Sequence, residues 1–141
     1  MKCRADIQTL ADEKLSEAES LLREGFADGA YYIAGYTVEL LLKAMICKTL
    51  GVDNFFDFDK VPKKELYRPF KVHNYEELFY LSGIYTPFSD AKKYDSTFLK
   101  AWSTASPWTE ESRYLTGKTP HDVIDFITSV KEIAIWIKKF L

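Results

Sequence analysis

Glycine and cysteine are scarce in this sequence. Its 141 residues include six glycines and two cysteines, and these form neither a phosphate-binding glycine loop nor paired CxxC motifs. A nucleophile elbow and an HExxH motif are also missing. Cys3 and Cys47 lie far apart without metal-ligand spacing, so the sequence predicts neither a disulfide framework nor a cysteine metal site. This cysteine usage fits a reducing cytosol.

Histidine is equally scarce, and neither sign of charge dominates. Two histidines are too few for a typical histidine-based zinc site, so we expect no metal and no cofactor. The formal net charge of −2 gives the chain no overall attraction for nucleic acid phosphates. The N-terminus has no apolar signal-peptide core, and no stretch approaches the roughly 18 uncharged apolar residues of a membrane span. We therefore expect a cytoplasmic protein.

Helical periodicity is the main pattern that the sequence does contain. Apolar residues recur at helical spacing in five stretches: residues 6–24, 28–50, 74–82, 89–103 and 119–141. No stretch alternates like a strand, and the length is typical of one domain. The sequence predicts a single all-α domain over residues 1–141. Short connections favour an antiparallel up-and-down helical bundle of four to five helices.

Polar residues mark the predicted helix starts. The expected N-caps are Asp28, Asn74, Ser89 or Asp90, and Thr119. Gly83 is expected to end the third helix, and Pro120 stands at the first position of the last helix, where proline is favoured.

The second helix is unusually apolar and is therefore expected to be the core helix. Glu39 lies in its middle, and a buried carboxylate must find a partner or take a raised pKa. Lys43, one turn later, is the nearest candidate partner. The pair could simply stabilise the helix, or it could belong to a polar network with Arg113 and Tyr114. We favour a structural network.

Residues 51–72 lack any sustained period and contain two prolines, so they predict a long irregular loop. Such a loop can shape a pocket or a partner surface, or it can pack as plain structure. Basic residues alternate there with aromatic ones: Lys60, Lys63, Lys64, Arg68 and Lys71 with Phe56, Phe58, Tyr67 and Phe70. This mixture could attract phosphate and stack on bases. Nearby carboxylates dilute the charge, which favours a protein interface.

Three segments of the chain resemble the HEPN family. They are Glu24-Gly25-Phe26 through Lys43-Ala44, Val72 through Leu78, and Trp108 through Tyr114. The most specific match is Glu39-Leu-Leu-Leu-Lys-Ala44, within a helix rich in alanine and tyrosine. The resemblance covers nearly the whole chain. It implies a helical bundle, commonly a homodimer, in prokaryotic proteins that often work beside a small nucleotidyltransferase, including toxin–antitoxin systems, and that sometimes cleave RNA.

Ribonuclease members of that family carry an arginine followed, after four to six residues, by a histidine. The nearest match is Arg113 and His121, but seven residues intervene, including Gly117 and Pro120. In the ribonuclease interpretation, Arg113 binds phosphate and His121 transfers protons at a dimer cleft. In the alternative interpretation, Arg113 pairs with Glu110, Glu111 or a buried backbone carbonyl and fixes the loop. His121 is then a solvated residue of the first helical turn.

His73 precedes the third helix and could cap it or contact neighbouring residues. A proton-transfer role would require a second polar group beside it. The leading hypothesis is a noncatalytic HEPN-like binding module, a homodimer that recognises a nucleotide or a nucleotidyltransferase partner. The alternatives are a metal-independent ribonuclease, which could also bind RNA, and a structural self-association domain.

Overall fold

The computed structural model describes residues 3–60 and 63–141, and every regular element in these ranges is a helix. Seven α-helices are present there: α1 (Arg4–Arg23), α2 (Ala27–Leu50), α3 (Lys64–Tyr67), α4 (Tyr75–Ser82), α5 (Tyr85–Tyr94), α6 (Ser96–Ala105) and α7 (Pro120–Lys138). Two 3₁₀ helices span Arg68–Phe70 and Glu110–Tyr114. The predicted all-α class is confirmed, whereas the described residues hold more helices than the sequence predicts.

Helix α2 is the centre of the molecule. It packs against α1, α4, α7 and the 3₁₀ helix Glu110–Tyr114, and every residue from Thr37 to Cys47 is buried. By length and composition alone α2 could cross a bilayer, but 83% of its most apolar 18-residue window is buried inside the protein. That degree of burial is typical of a core helix.

The predicted fourth helix is two helices. α5 begins at Tyr85, before the predicted start. The helix can include Pro87 because this residue lies in the first turn, where the backbone N–H has no partner within the helix. Asp95 takes an extended conformation that ends α5, and its carboxylate then accepts a hydrogen bond from the Phe98 N–H at 3.1 Å. Asp95 is therefore the N-cap of α6, and the continuous helix predicted from Ser89 or Asp90 is wrong.

Of the other three predicted N-caps, two are confirmed and one is wrong. The Asn74 side chain accepts from the Glu77 N–H, and the Thr119 side chain accepts from the Asp122 N–H. Asp28, by contrast, lies inside α2, which begins one residue earlier. Its carboxylate accepts hydrogen bonds from the backbone N–H groups of Gly117 and Lys118 instead, at 3.2 and 2.8 Å. These bonds fix the loop before α7 to the start of α2.

The described residues of the segment 51–72 contain more helix than the predicted irregular loop. It contains α3 and the 3₁₀ helix Arg68–Phe70, while residues 61 and 62 lie outside the described ranges, as do residues 1 and 2. Phe55 makes ring contacts with Phe56, Tyr67 and Phe70 at centroid distances of 5.1, 5.8 and 4.8 Å. Because Phe56 and Tyr67 are buried, this aromatic cluster packs the segment onto the core.

Gly35 allows the Trp108 indole to lie directly on the backbone of α2. A Cβ atom at position 35 would stand 2.0 Å from Trp108 Cε2. The indole also stacks on Tyr75 at a centroid distance of 5.3 Å, and the Tyr75 hydroxyl donates a 2.6 Å hydrogen bond to the Gly35 carbonyl. The glycine therefore brings the start of the 3₁₀ helix Glu110–Tyr114 close to α2.

We predict that Gly35→Ala destabilises the fold by about 2 kcal/mol, because the added methyl group must displace a packed indole. Gly29→Ala in the same helix is the matched control. Its Cβ would meet only Leu21 Cδ1 at 3.7 Å, so the change should be neutral or slightly stabilising. Urea unfolding followed by tryptophan fluorescence measures both variants. Equal effects at the two positions would contradict the close contact between Gly35 and Trp108.

Candidate functional site

The candidate site is built around Glu39, whose carboxylate is buried in the middle of α2. The residue is 2% exposed, and its Oε1 lies 2.5 Å from Nδ1 of His73. Burial raises the pKa of the Glu39 carboxyl, while the charges of Lys43 and His73 act in the opposite direction. The predicted need for a partner is confirmed, but the direct partner is His73. Lys43 acts through its charge, and its ammonium lies 5.7 Å from the Phe56 ring centre.

His73 bridges two carboxylates from different parts of the chain. Its Nδ1 faces Glu39, and its Nε2 lies 3.2 Å from Oε2 of Glu110 on the 3₁₀ helix Glu110–Tyr114. His73 does not cap α4, because Asn74 has that role. The half-exposed imidazole instead joins α2, the segment before α4 and this 3₁₀ helix.

Both ring nitrogens of His73 lie beside carboxyl groups. If the ring is an imidazolium, both nitrogens donate to carboxylates. If the ring is neutral, one nitrogen donates to its glutamate and the other accepts from, or faces, the second glutamate. In every arrangement a substrate would have to displace Glu39 or Glu110 to reach a ring nitrogen. A proton-transfer role would require a second polar group beside His73. Glu39 and Glu110 are such groups, but each already faces a ring nitrogen.

Two tyrosines extend the polar network along the face of α2. The hydroxyls of Tyr32 and Tyr36 are 2.8 Å apart, and Tyr36 meets Trp108 edge-on at 5.2 Å. Burial, followed by the hydrogen bond to Tyr32, raises the pKa of Tyr36, and the charges of Glu39 and Glu110 add to the shift. The charges of Glu39 and Glu110 therefore act on Tyr36, whose hydroxyl pairs with that of Tyr32.

Arg113 and Tyr114 lie at the outer edge of this network rather than inside it. The Arg113 guanidinium is 4.8 Å from the Tyr114 ring centre, and the neighbouring Tyr114 and Tyr32 raise the pKa of Arg113. Tyr114 is 72% exposed. Among the described residues no hydrogen bond or ion pair joins Arg113 or Tyr114 to Glu39 or Lys43, so the network of these four residues stays a prediction.

His121 lies on a different element, in the first turn of α7. Its side chain is 83% exposed, and its Nε2 is 3.6 Å from Oδ2 of Asp125 one turn later. Arg113 lies on the 3₁₀ helix Glu110–Tyr114, before the loop that Asp28 fixes. In the described part of the chain the two residues share no hydrogen-bond or ion-pair partner. Their catalytic pairing across a dimer cleft stays a prediction.

A cleft of about 390 Å³ opens beside His73. It is lined by Val72, His73, Asn74, Glu77, Thr109, Glu110 and Glu111. The carboxylates disfavour an anionic ligand and favour a group that is cationic or donates hydrogen bonds. Within residues 3–60 and 63–141, no cluster of histidine, cysteine, aspartate or glutamate has a metal-binding arrangement. The chemistry of this cleft suits recognition of a basic side chain.

Sequence reasoning missed Tyr36 as a member of the network and named Glu110 only as a partner for Arg113. One signal was available for Tyr36, which lies one turn from Tyr32 and therefore shares its helix face. The pairing of Glu39 with His73 spans 34 residues of sequence, and no local rule reaches that far. Gly35, a lone glycine inside an apolar helix, was the sign that another group approaches α2 closely.

Comparisons with known proteins found no similar protein from which the site could be interpreted. No family model matches the chain, and no curated protein or solved structure is significantly similar to it. The candidate site therefore stands on the contacts of Glu39, His73 and Glu110.

We predict that His73→Ala lowers the free energy of unfolding by about 2 kcal/mol, because it leaves a buried carboxylate without its direct partner. The chain offers a matched control in its other histidine. His121→Ala removes an exposed side chain that pairs only with Asp125, so the change should stay within about 0.5 kcal/mol. Chemical denaturation at neutral pH compares the variants. A loss at His121 as large as that at His73 would contradict the assignment.

Proposed function

We propose that this chain is a noncatalytic HEPN-like binding module that recognises a nucleotidyltransferase partner through the cleft beside His73. In this proposal the longer helices form the antiparallel bundle of that family, and the module is a homodimer. The observation that carries the proposal is the buried Glu39 carboxylate, which reaches the cleft surface through His73 and Glu110. Buried charged groups that cost stability are candidates for functional sites.

The state of His73 supports binding over catalysis at this cleft. A general base needs a free lone pair within reach of the substrate proton. Both ring nitrogens of His73 face carboxylates, so a substrate would have to displace Glu39 or Glu110 to reach the ring, which is better placed to position Glu110. The cleft then presents a fixed carboxylate at its wall.

The charge of the cleft favours a protein partner over a nucleotide there. Glu77, Glu110 and Glu111 line it, and no lysine or arginine does. A nucleotide phosphate would meet these carboxylates, whereas a lysine or arginine side chain would pair with them. The HEPN resemblance supplies the class of partner, a nucleotidyltransferase that presents a basic side chain.

The second candidate function is a metal-independent ribonuclease that uses Arg113 and His121. The observation that favours it is a polar cavity of about 440 Å³ beside α7 whose lining includes Lys100, Lys118, Asp122 and Asp125, although neither Arg113 nor His121 lines it. Asp125 also faces His121, as an orienting carboxylate would. The two lysines could attract a phosphate to this end of α7.

We predict that a nucleotidyltransferase is encoded beside this gene and that the wild type forms a complex with it. Glu110→Gln should weaken the complex about tenfold, because one charge-assisted hydrogen bond is lost. Glu132→Gln, which changes an exposed carboxylate on α7, is the matched control and should leave the affinity unchanged. Light scattering coupled to size exclusion gives the stoichiometry, and calorimetry gives the affinity.

The same preparations are assayed for RNA cleavage in EDTA. The proposal fails if the folded wild type forms no complex, or if both glutamate variants bind equally well. Cleavage that is lost in both Arg113→Ala and His121→Ala would establish the ribonuclease function in its place.

A further inference from the structure

The segment from Phe58 to Lys71 has a charge opposite to that of the whole chain. It contains five basic and two acidic side chains, although the formal net charge of the protein is −2. Lys63, Lys64, Arg68 and Lys71 are all exposed. Within the described residues no carboxylate forms an ion pair with Lys64, Arg68 or Lys71. These cations are therefore available to a ligand.

Three of these cations line a single cavity. It has a volume of about 370 Å³ and is lined by Phe58, Lys64, Tyr67, Arg68 and Lys71. The cavities at α1, at α7 and beside His73 all include carboxylates in their linings. The lining at Phe58 combines positive charge with aromatic rings and has no acidic member.

Of the two aromatic rings that line this cavity, one is buried and the other is exposed. Tyr67 is buried and contacts Phe56 at a centroid distance of 5.6 Å. Phe58 touches Tyr67 edge-on at 4.8 Å, yet it remains 62% exposed. A large ring held at one side and open at the other is a stacking platform for a planar group.

We propose that this cavity binds a phosphate-bearing unpaired base, as presented by single-stranded nucleic acid or by a mononucleotide. The base stacks on Phe58, while Arg68, Lys64 and Lys71 pair with phosphate oxygens. A free phosphate would leave Phe58 without a role. A membrane surface is less suitable, because the site is a concave cavity and the exposed apolar Leu66 does not line it.

This site is independent of the cleft beside His73. The two linings share no residue, and their charges are opposite. Nucleic acid binding can therefore fail while the partner complex forms, or persist while that complex is absent. Glu110→Gln should change the partner affinity alone, and Arg68→Gln should change nucleic acid binding alone.

The test is fluorescence anisotropy of labelled single-stranded RNA and DNA oligonucleotides with the full chain at low salt. Phe58→Leu keeps an apolar group but removes the ring, and it should weaken binding about tenfold. Arg68→Gln should also weaken binding. It should reduce the slope of log affinity against log salt concentration by about 1, the contribution of one phosphate contact. Lys93→Gln, an exposed lysine in the last turn of α5, is the charge-matched control and should have no comparable effect.

Competition with AMP and with inorganic phosphate distinguishes the sources of the ligand. Displacement of the oligonucleotide by AMP but not by phosphate assigns the site to base and phosphate together. The proposal is overturned if the folded wild type binds neither oligonucleotide nor AMP. It is equally overturned if Phe58→Leu and Arg68→Gln bind like the wild type, or if anionic phosphatidylserine vesicles are the only ligand found.

Discussion

A carboxylate buried in the middle of an apolar helix is the constraint on which the site depends. Glu39 cannot reach solvent from α2, and an isolated charge there would be strongly destabilising. It is therefore met by His73, which in turn is met by Glu110. This requirement fixes the start of α4 and the 3₁₀ helix Glu110–Tyr114 against α2. Gly35 makes the close approach possible by leaving room for Trp108.

The same constraint organises the proposed function. Because His73 is held at both nitrogens, it fixes Glu110 at the wall of an acidic cleft, which favours a basic partner. Positive charge is concentrated elsewhere, around Phe58 and Arg68, which favours a phosphate. A nearly neutral chain thus carries two surfaces of opposite charge, which net charge alone cannot reveal. Both surfaces include residues of the segment before α4.

Local chemistry accounts for what the sequence could predict. Asn74 and Thr119 were identifiable as caps because a side chain bonds a backbone N–H only a few residues away. Asp28 fits the same N-cap pattern. Its carboxylate instead binds backbone N–H groups in the loop before α7, which is distant in the sequence. The need of Glu39 for a partner followed from burial. The identity of that partner depends on how α4 packs against α2, which no local pattern encodes.

The pH dependence of stability tests the central role of Glu39 most directly. Burial raises its pKa in the folded state above the value of about 4.3 in the unfolded chain, so the folded protein holds this proton more tightly. Wild-type stability should therefore fall relative to Glu39→Gln as pH rises above the unfolded-state pKa of about 4.3. In a His73→Gln background, where Lys43 and Glu110 are the remaining charges, the difference should grow. A difference that stays constant with pH would contradict the account.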